Sequence, residues 1–387
     1  MRAARFAAAA VFFLNGFGFA SWVVRIPAVQ EKLALSEGPL GIALLGAAVG
    51  LLISTPLAGW LVARLGSRPV VGVTSLLVSL VLLPLALAPN LPFLMFANVA
   101  SGAAAGALDV SMNAQAVAVE NGDGRSIMSS FHAAFSFGGL AGAASGGLVA
   151  SLGVGVLPHL AGAAALSATA AVVAYRPLLP ASADAGGAGG GPAFARPTRG
   201  LLGLGVISFC VLLGEGAMAD WSAVYLRGTL DTGPGFAAAG YAAFSLTMAT
   251  GRLVGDRLTA RFVPARLVRA GAVVAASGLG LALVIGHPFV ALAGFACAGA
   301  GFSIVFPTAL SAAGRTEGVA AGPAIAAVSS AGYLGFLIGP PAIGFVAEAS
   351  GLGVALFLVV ILSAAIVPLA RAADGKKPDV KNENGVR

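Results

Sequence analysis

The chain has 387 residues, of which 58% are hydrophobic and 10% charged, and its mean hydropathy is +0.95. Soluble domains carry about 25% charged residues, so this composition excludes an ordinary soluble globular protein. Apolar stretches of about 20 residues, the length that crosses a bilayer core as a helix, recur along the chain. The sequence therefore predicts an all-α polytopic membrane protein.

The predicted elements are twelve membrane spans, in chain order 6–28, 40–63, 69–88, 92–118, 126–151, 157–175, 201–226, 237–255, 266–286, 288–311, 319–346 and 352–370. With both termini in the cytoplasm, 19 of the 22 Lys and Arg residues lie on the cytoplasmic side, and Arg25, Lys32 and Arg227 lie outside. This is the positive-inside pattern, and it accounts for the net charge of +7 without a nucleic-acid partner. We expect a multi-pass protein of a bacterial-type plasma (inner) membrane.

The apolar pattern breaks at one long segment, residues 175–200, which is rich in Pro, Gly and Ala. Such a composition is typical of a flexible linker. The predicted domains are an N-terminal six-helix half (1–174), a cytoplasmic linker (175–200), a C-terminal six-helix half (201–370) and a cytoplasmic tail (371–387).

The two halves repeat each other in sequence. FSFGGLAGAASGG (135–147) aligns with GYLGFLIGPPAIG (332–344), LPFLMFANVASGA (91–103) with HPFVALAGFACAG (287–299), and GFGFASW (16–22) with EGAMADW (215–221). The three matches occur in the same order at shifts of 196 to 199 residues. They predict two pseudo-symmetric halves.

Two six-helix halves joined by a linker resemble the major facilitator superfamily over essentially the full chain. The loop between spans 2 and 3, GWLVARLGSR (59–68), is similar to the signature G-x-L-a-D-r-x-G-r-k of that superfamily, with Ala63 in place of the acid. The matching positions of this cytoplasmic loop motif are Gly59, Arg64, Gly66 and Arg68, and the second-half counterpart GRLVGDRL (251–258) carries Asp256 and Arg257.

Four further segments resemble the MosC/YbjJ-like subgroup of that superfamily. They are FLNGFGFASWVVRIPAVQ, GALDVSMNAQAVAVE, SSFHAAFSFGGLAG and EGAMADWSAVYL. The subgroup is named partly for a protein linked to rhizopine, an inositol-derived amine. The resemblance implies a transporter of a small polar solute and leaves the identity of the solute open.

Glu215 is an acid about halfway along predicted span 7. An ionisable group near the bilayer centre costs about 2.5–3.5 kcal/mol on insertion scales, so it is expected to face a partner or a watery cavity. Burial favours the protonated form of a carboxyl group, which suits Glu215 to proton binding or to pairing with a cationic solute. The alternative is a glutamate that only hydrogen-bonds a neighbouring helix.

Span 4 carries a polar stripe of Asn98, Gly102, Gly106, Asp109 and Asn113, spaced by four, four, three and four residues. This spacing predicts one helix face, which we expect to line the central cavity. The asparagines then hydrogen-bond a hydroxylated solute, and Asp109 holds an amine or a proton. Hydrogen bonding between helices is the alternative role.

Other polar side chains are candidates for the cavity or for gates. Asp220 follows Glu215 by five residues, about 140° around a helix, so the two acids are not expected to form one site. Asp220 lies nearer the periplasm, where we expect either a gate or structural ion pair with Arg25 or a solvated position. Near the cytoplasm, His132 is expected either to relay protons or to close that side with Glu120.

Three more residues complete the predicted cavity lining. Asn15 lies in the middle of span 1, and the repeat pairs it with Gly214. Ser329 and Tyr333 lie four residues apart in span 11. We expect them to face the cavity from the two halves of the protein.

The functional prediction follows from these features. No G-x-x-x-x-G-K-S/T, H-E-x-x-H or Ser/His/Asp pattern is found, so the sequence predicts neither ATP-driven transport nor an enzyme, and neither a metal nor another cofactor. Two repeats around a midplane acid are typical of alternating access. We predict a monomeric, proton-coupled secondary transporter of a small polar organic solute, hydroxylated or amine-bearing and sugar- or inositol-like. The alternatives are a proton/drug antiporter exporting amphipathic cations and a non-transporting membrane sensor with a transporter fold.

Overall fold

The structure is a computed structural model that describes residues 1–124, 127–183, 199–316, 319 and 321–374, apart from the side chains of residues 199, 200, 256 and 321. Within these residues the chain is helical and contains no β-strand. The helices form twelve segments of membrane-spanning length, which we number as the predicted spans. The predicted all-α architecture is confirmed.

Six segments form the N-terminal half. Span 1 consists of the helices Arg2–Val23 and Ile26–Leu33, span 2 of Glu37–Leu65, span 3 of Ser67–Leu80 and Leu82–Leu87, span 4 of Leu91–Asp123, span 5 of Met128–Ser151, and span 6 of Val156–Tyr175. A short 3-10 turn, Ala181–Ala183, follows span 6.

The other six segments form the C-terminal half. Span 7 consists of the helix Arg199–Val224 and the π-turn Tyr225–Thr229, span 8 of Pro234–Arg261, span 9 of Pro264–Ile285, span 10 of Pro288–Phe302 and Val305–Ala313, span 11 of Ala321–Ser350, and span 12 of Leu352–Leu369. A 3-10 turn, Ala370–Asp374, ends the described chain.

Local sequence signals set several of these helix ends. Span 4 begins at Asn90, whose side chain accepts a hydrogen bond from the amide of Phe93 at 3.0 Å, as a helix N-cap does. Spans 4 and 9 end at Gly124 and Gly286, which have φ angles of +66° and +63°. Glycine adopts this left-handed conformation without the steric cost that a Cβ atom brings.

Eleven of the twelve segments are long and apolar enough to cross a membrane. Among the described residues the exception is span 8, Pro234–Arg261. Its 28 residues are long enough to cross a membrane, but the helix is less apolar and carries Arg252. Span 8 packs against spans 5, 7 and 10. Its polar residues can therefore be satisfied by neighbouring protein, and the span needs less apolar surface than the others.

Glycines matched by the sequence repeat make equivalent contacts in the two halves. A Cβ atom on Gly138 in span 5 would overlap the carbonyl group of Phe13 in span 1, and one on Gly335 in span 11 would overlap that of Phe209 in span 7. Small residues at these positions let two helices approach backbone to backbone. The pseudo-symmetric arrangement predicted from the repeat is therefore visible in the packing.

The halves meet where span 5 packs on span 8 and where span 2 packs on span 11. At the predicted periplasmic ends of spans 2 and 11, the amide of Gly38 donates to Glu348 Oε2 at 2.9 Å. Nearby, Arg227 Nε lies 2.9 Å from Glu31 Oε1 and joins span 7 to span 1. These polar contacts close the interface between the halves on that side of the membrane.

Candidate functional site

Glu215 forms the centre of a buried polar cluster that both halves build. Its Oε2 atom lies 3.6 Å from Nη2 of Arg252 in span 8, and the two side chains are 16% and 17% exposed. Nη1 of Arg252 donates a hydrogen bond to Ser136 Oγ in span 5 at 3.0 Å. We call Glu215, Arg252 and Ser136 the central cluster. Because Ser136 belongs to the N-terminal half, this cluster links the two halves at a point about midway along span 7.

One oxygen of the central cluster has no protein partner. Glu215 Oε1 is buried and accepts no hydrogen bond among the residues that the structure describes. A buried carboxylate oxygen left unpaired is costly. A proton on this carboxyl group, or a donor group of a bound solute, satisfies it. The cluster therefore has the chemistry of a proton- or ligand-binding acid.

Further polar groups surround the cluster. Tyr241 of span 8 interacts electrostatically with Glu215, Arg252 and Asp220, and its ring packs edge-on against Phe19 of span 1, with the ring centroids 6.1 Å apart. Asp220 is half-buried and makes no hydrogen bond within the described part of the chain. The two acids of span 7 thus differ in their direct contacts, and their separation into two sites remains a prediction.

Asp109 lies at a second polar position between the halves. Its Oδ1 atom accepts a hydrogen bond from Asn113 Nδ2 at 3.1 Å. Its electrostatic neighbour across the interface is Tyr333 of span 11. Ser329, one turn before Tyr333, is half-buried as well. The structure therefore brings predicted residues of spans 4 and 11 together. The interaction across the interface is between Asp109, which Asn113 hydrogen-bonds, and Tyr333.

The upper part of the predicted span 4 stripe does not face a cavity. Asn98 is 1% exposed, donates to the carbonyl of Leu94 at 3.0 Å, and packs with its Cβ atom close to Gly46 of span 2. Gly102 packs in the same way on Ala47. The prediction that Asn98 lines the cavity is wrong, because span 2 covers this part of the face.

Asn15 is also buried within the N-terminal half. It is 7% exposed, and its Nδ2 atom points at the sulfur of Met112 in span 4 at 3.8 Å. This contact holds span 1 against span 4. A role for Asn15 in binding solute remains a prediction.

The predicted ion pair between Arg25 and Asp220 is absent from the described residues. Arg25 is 4% exposed; its Nε donates to His159 Nδ1 at 2.9 Å and its Nη2 donates to the carbonyl of Val154 at 3.0 Å. The guanidinium thus donates its hydrogen bonds to span 6 and to the loop before it. His159 is itself buried, at 8% exposure. An arginine can only donate, so this geometry requires a neutral His159 with its proton on Nε2.

The predicted pairing of Glu120 with His132 is also corrected. Glu120 Oε2 accepts hydrogen bonds from the amides of Ile127 and Met128 at 2.6 and 2.7 Å, and it thereby caps the start of span 5. A carboxylate is favourable at this position because the first amides of a helix have no partners within it. His132 points elsewhere, edge-on to Phe12 with the ring centroids 5.4 Å apart and within electrostatic range of Arg252.

The cytoplasmic loop motif contacts the end of span 6. Gly66 has a φ angle of +75°, and its backbone packs against Ala181. The guanidinium of Arg68 lies 4.9 Å from the ring centre of Tyr175, and Nη2 donates to the carbonyl of Arg176 at 3.0 Å. The motif therefore ties the turn between spans 2 and 3 to the chain that leaves span 6.

The remaining motif residues lie at the surface. Arg64 stacks over the ring of Trp60 at 4.3 Å, and Gly59 has open space around its Cα atom. In the second-half counterpart Arg257 is exposed, and the side chain of Asp256 lies outside the described residues.

Arg252 is the site residue that the sequence analysis missed. The motif GRLVGDRL places it at the cytoplasmic end of span 8, and the charge count assigns it to that side. In the structure span 8 continues to Arg261, so Arg252 lies inside the helix. The low hydropathy of this one segment is the signal that could have identified it.

Among the described residues, no group of three or more His, Cys, Asp or Glu side chains is arranged to hold a metal ion.

The chain was compared with known proteins. Residues 8–318 match the Major Facilitator Superfamily. The chain is 36% identical over 362 residues to an uncharacterized MFS-type transporter of Yersinia pestis, with 93% of each chain covered. It is 34% identical over 351 residues to the membrane protein MosC of Rhizobium meliloti, covering 90% of this chain and 85% of that protein.

Solved structures share the fold. A bacterial homolog of the human lysosomal transporter Spinster, in an inward-facing and occupied conformation, aligns with a TM-score of 0.76 at 13% identity, covering 96% of this chain and 98% of that one. The fucose:proton symporter FucP of E. coli aligns with a TM-score of 0.64 at 18% identity, with the same coverage. At these identities the likeness concerns the fold alone.

Proposed function

The chain belongs to the major facilitator superfamily, and from this membership we propose that it is a proton-coupled secondary transporter of a small polar organic solute. The solute is hydroxylated or amine-bearing and resembles a sugar or an inositol. The halves move about the central cluster by alternating access. The transporter acts as a monomer in a bacterial inner membrane, with both termini in the cytoplasm.

The observation that carries this proposal is the pairing of Glu215 with Arg252. The acid lies midway along span 7, its Oε1 atom has no partner in the described protein, and its Oε2 atom lies 3.6 Å from Arg252. Protonation of Glu215 weakens that ion pair and the link through Arg252 to Ser136. A proton therefore changes the contact between the two halves, which is what coupling requires.

The solute class rests on the second polar position. Asp109 of span 4, which accepts a hydrogen bond from Asn113, interacts electrostatically with Tyr333 of span 11 across the interface. This set contains a carboxylate, an amide and a phenol, which suit hydroxyl and ammonium groups. The resemblance to the MosC/YbjJ-like subgroup, which includes MosC, also supports a small polar solute.

The test is proton uptake by proteoliposomes, read with a trapped pH-sensitive dye during addition of inositols, amino-sugars or hexoses. We expect wild-type protein to give a solute-dependent proton signal, and Glu215→Gln to abolish it. Asp123→Asn is the matched control, because Asp123 pairs with Arg5 at the membrane surface, 3.7 Å away and remote from the cluster. Solute flux without a proton signal, unchanged in Glu215→Gln, would contradict proton coupling.

A second candidate, export of amphipathic cations in exchange for protons, has one supporting observation. The ring of Tyr241 stands beside those of Phe19 and Phe244, at centroid distances of 6.1 and 5.9 Å. Tyr241 is also an electrostatic neighbour of Glu215. An aromatic wall beside an acid suits a lipophilic cation. Cationic drugs therefore form a further arm of the same proton-uptake screen.

A further inference from the structure

A groove of about 490 Å³ opens on the outer surface of the N-terminal half, between spans 2, 3 and 4. Small residues of span 4 form its floor, and larger apolar residues of spans 2 and 3 form its walls; they include Ala103, Ala107, Leu57, Leu61, Val73 and Leu77. The position of this groove on the outside of the bundle separates it from the central cluster.

The lining presents an apolar surface along its whole length. Its two hydroxyl groups belong to Ser54 and Thr74, which donate to the carbonyl groups of Leu51 and Val70 at 3.1 and 2.7 Å. Both hydroxyls are thereby satisfied within their own helices. Val73, on the rim, is 60% exposed. Such a surface matches a hydrocarbon chain.

One end of the groove carries positive charge. Arg64 follows Leu57 by seven residues, so it lies on the same face of span 2 as the groove wall and two turns nearer the cytoplasm. Its guanidinium is held over Trp60, which is 49% exposed. Exposed Trp side chains are typical of the membrane interface. Arg64 therefore stands at the depth of the lipid headgroups.

No acid neutralises Arg64 within the described part of the chain. The superfamily signature has an acid at the preceding position, where this sequence has Ala63. The acids at the cytoplasmic end of span 4 are engaged elsewhere: Glu120 with the amides that begin span 5, and Asp123 with Arg5. Arg68, in the first turn of span 3, adds a second positive charge.

We propose that this groove binds an anionic phospholipid of the cytoplasmic leaflet, with one acyl chain between spans 2, 3 and 4 and the phosphate at Arg64. Basic residues beside a groove between membrane helices recognise such headgroups, and each arginine contributes about 1 kcal/mol near the membrane surface. The lipid supplies the negative charge that Ala63 lacks. The proposal uses the membrane orientation given above and is independent of the solute.

The test is native mass spectrometry of the purified full chain, titrated with phosphatidylglycerol or phosphatidylcholine of identical acyl chains. We expect preferential retention of phosphatidylglycerol by the wild type and a loss of about fivefold in its apparent affinity in Arg64→Gln, the factor that about 1 kcal/mol represents. Arg257→Gln is the matched control, because Arg257 is an exposed arginine of span 8, which does not line the groove. We expect this control to bind like the wild type.

A second variant tests the contribution of the lipid acyl chain separately from that of the headgroup. Ala103→Phe fills the floor of the groove, so we expect it to reduce retention of both lipids, with its thermal unfolding measured in detergent to show that it is folded. The proposal is overturned if Arg64→Gln binds phosphatidylglycerol like the wild type, or if Arg257→Gln loses as much affinity. It is equally overturned if soluble glycerol phosphate binds as tightly as the intact lipid, because the acyl groove then contributes nothing.

Discussion

Glu215 and Arg252 show how a charged pair is maintained inside an apolar bundle. Each side chain is about one-sixth exposed, and Arg252 also donates to Ser136. Buried pairs of this kind contribute little net stability, but removal of one partner leaves an uncompensated charge. The pair is therefore better explained by function than by folding.

Substitutions of Glu215 and Arg252 are expected to be energetically coupled. We expect Arg252→Gln to lower the thermal stability of the purified protein, and the double variant Glu215→Gln/Arg252→Gln to recover part of the loss. The expected coupling free energy is roughly 0.5–3 kcal/mol. Thermal unfolding of wild type, both single variants and the double variant measures it. Strictly additive effects would show that the side chains do not interact.

Arg25 depends in the same way on the acceptor that His159 provides. His159→Ala removes the partner of Nε and leaves a buried donor unsatisfied, which costs roughly 1–3 kcal/mol. We expect this variant to unfold at a lower temperature than the wild type. His159→Gln offers an amide oxygen at a similar reach, so it should recover stability. Equal destabilisation by both substitutions would mean that ring packing, and not the hydrogen bond, is what matters.

At the scale of elements, close helix packing depends on glycines that the repeat places in both halves. Gly138 lies against Phe13, and Gly335 lies against Phe209. In the bilayer, helices associate through packing and hydrogen bonds because lipid is as apolar as their side chains. A methyl group at either glycine therefore forces its pair of helices apart and weakens their packing.

We expect Gly138→Ala and Gly335→Ala to reduce folded yield and thermal stability to a similar extent. Gly162→Ala is the matched control, since Gly162 is a helical glycine with open space around it, and alanine there has the better helix propensity. Size-exclusion profiles and unfolding temperatures of the three variants give the comparison. If Gly162→Ala were as harmful as the other two, backbone contact would not be the cause.

The whole molecule is closed on its predicted periplasmic side by contacts between the halves. Buried apolar side chains from both halves share one cluster there, including Ile26 and Leu40 from the first half and Trp221 and Tyr225 from the second. The proposed alternating-access cycle requires this surface to separate. Its contacts must therefore be broken and remade as the halves move.

A disulfide between the halves should stop that motion. A Cβ atom on Gly235 of span 8 would lie 2.9 Å from the Cβ atom of Ser151 in span 5, so a small separation of the two helices gives the spacing of about 3.5–4.5 Å found in disulfides. We expect the double variant Ser151→Cys/Gly235→Cys to lose solute transport on oxidation and to regain it on reduction. The single variants Ser151→Cys and Gly235→Cys are the controls and should be insensitive. Full transport with the cross-link complete would show that this interface does not open.

The sequence by itself determined the helical architecture, the number of spans and their pseudo-symmetry. The bilayer imposes these features locally, because each span must satisfy its own backbone and be apolar over about 20 residues. The repeated glycines also mark helix contacts, since only small residues permit them. Span 8 is less apolar than the other spans because neighbouring helices, and not lipid, cover its polar face.

The tertiary structure decided which polar side chains meet. Arg25 bonds with His159, 134 residues away, and not with Asp220; Asn98 turns out to be covered by span 2, and Arg252 reaches Glu215 from the next span. Spacing along one helix assigns residues to a face, but what covers that face depends on how separate helices cross. That geometry arises from packing between helices distant in sequence, so it could not be read from any one segment.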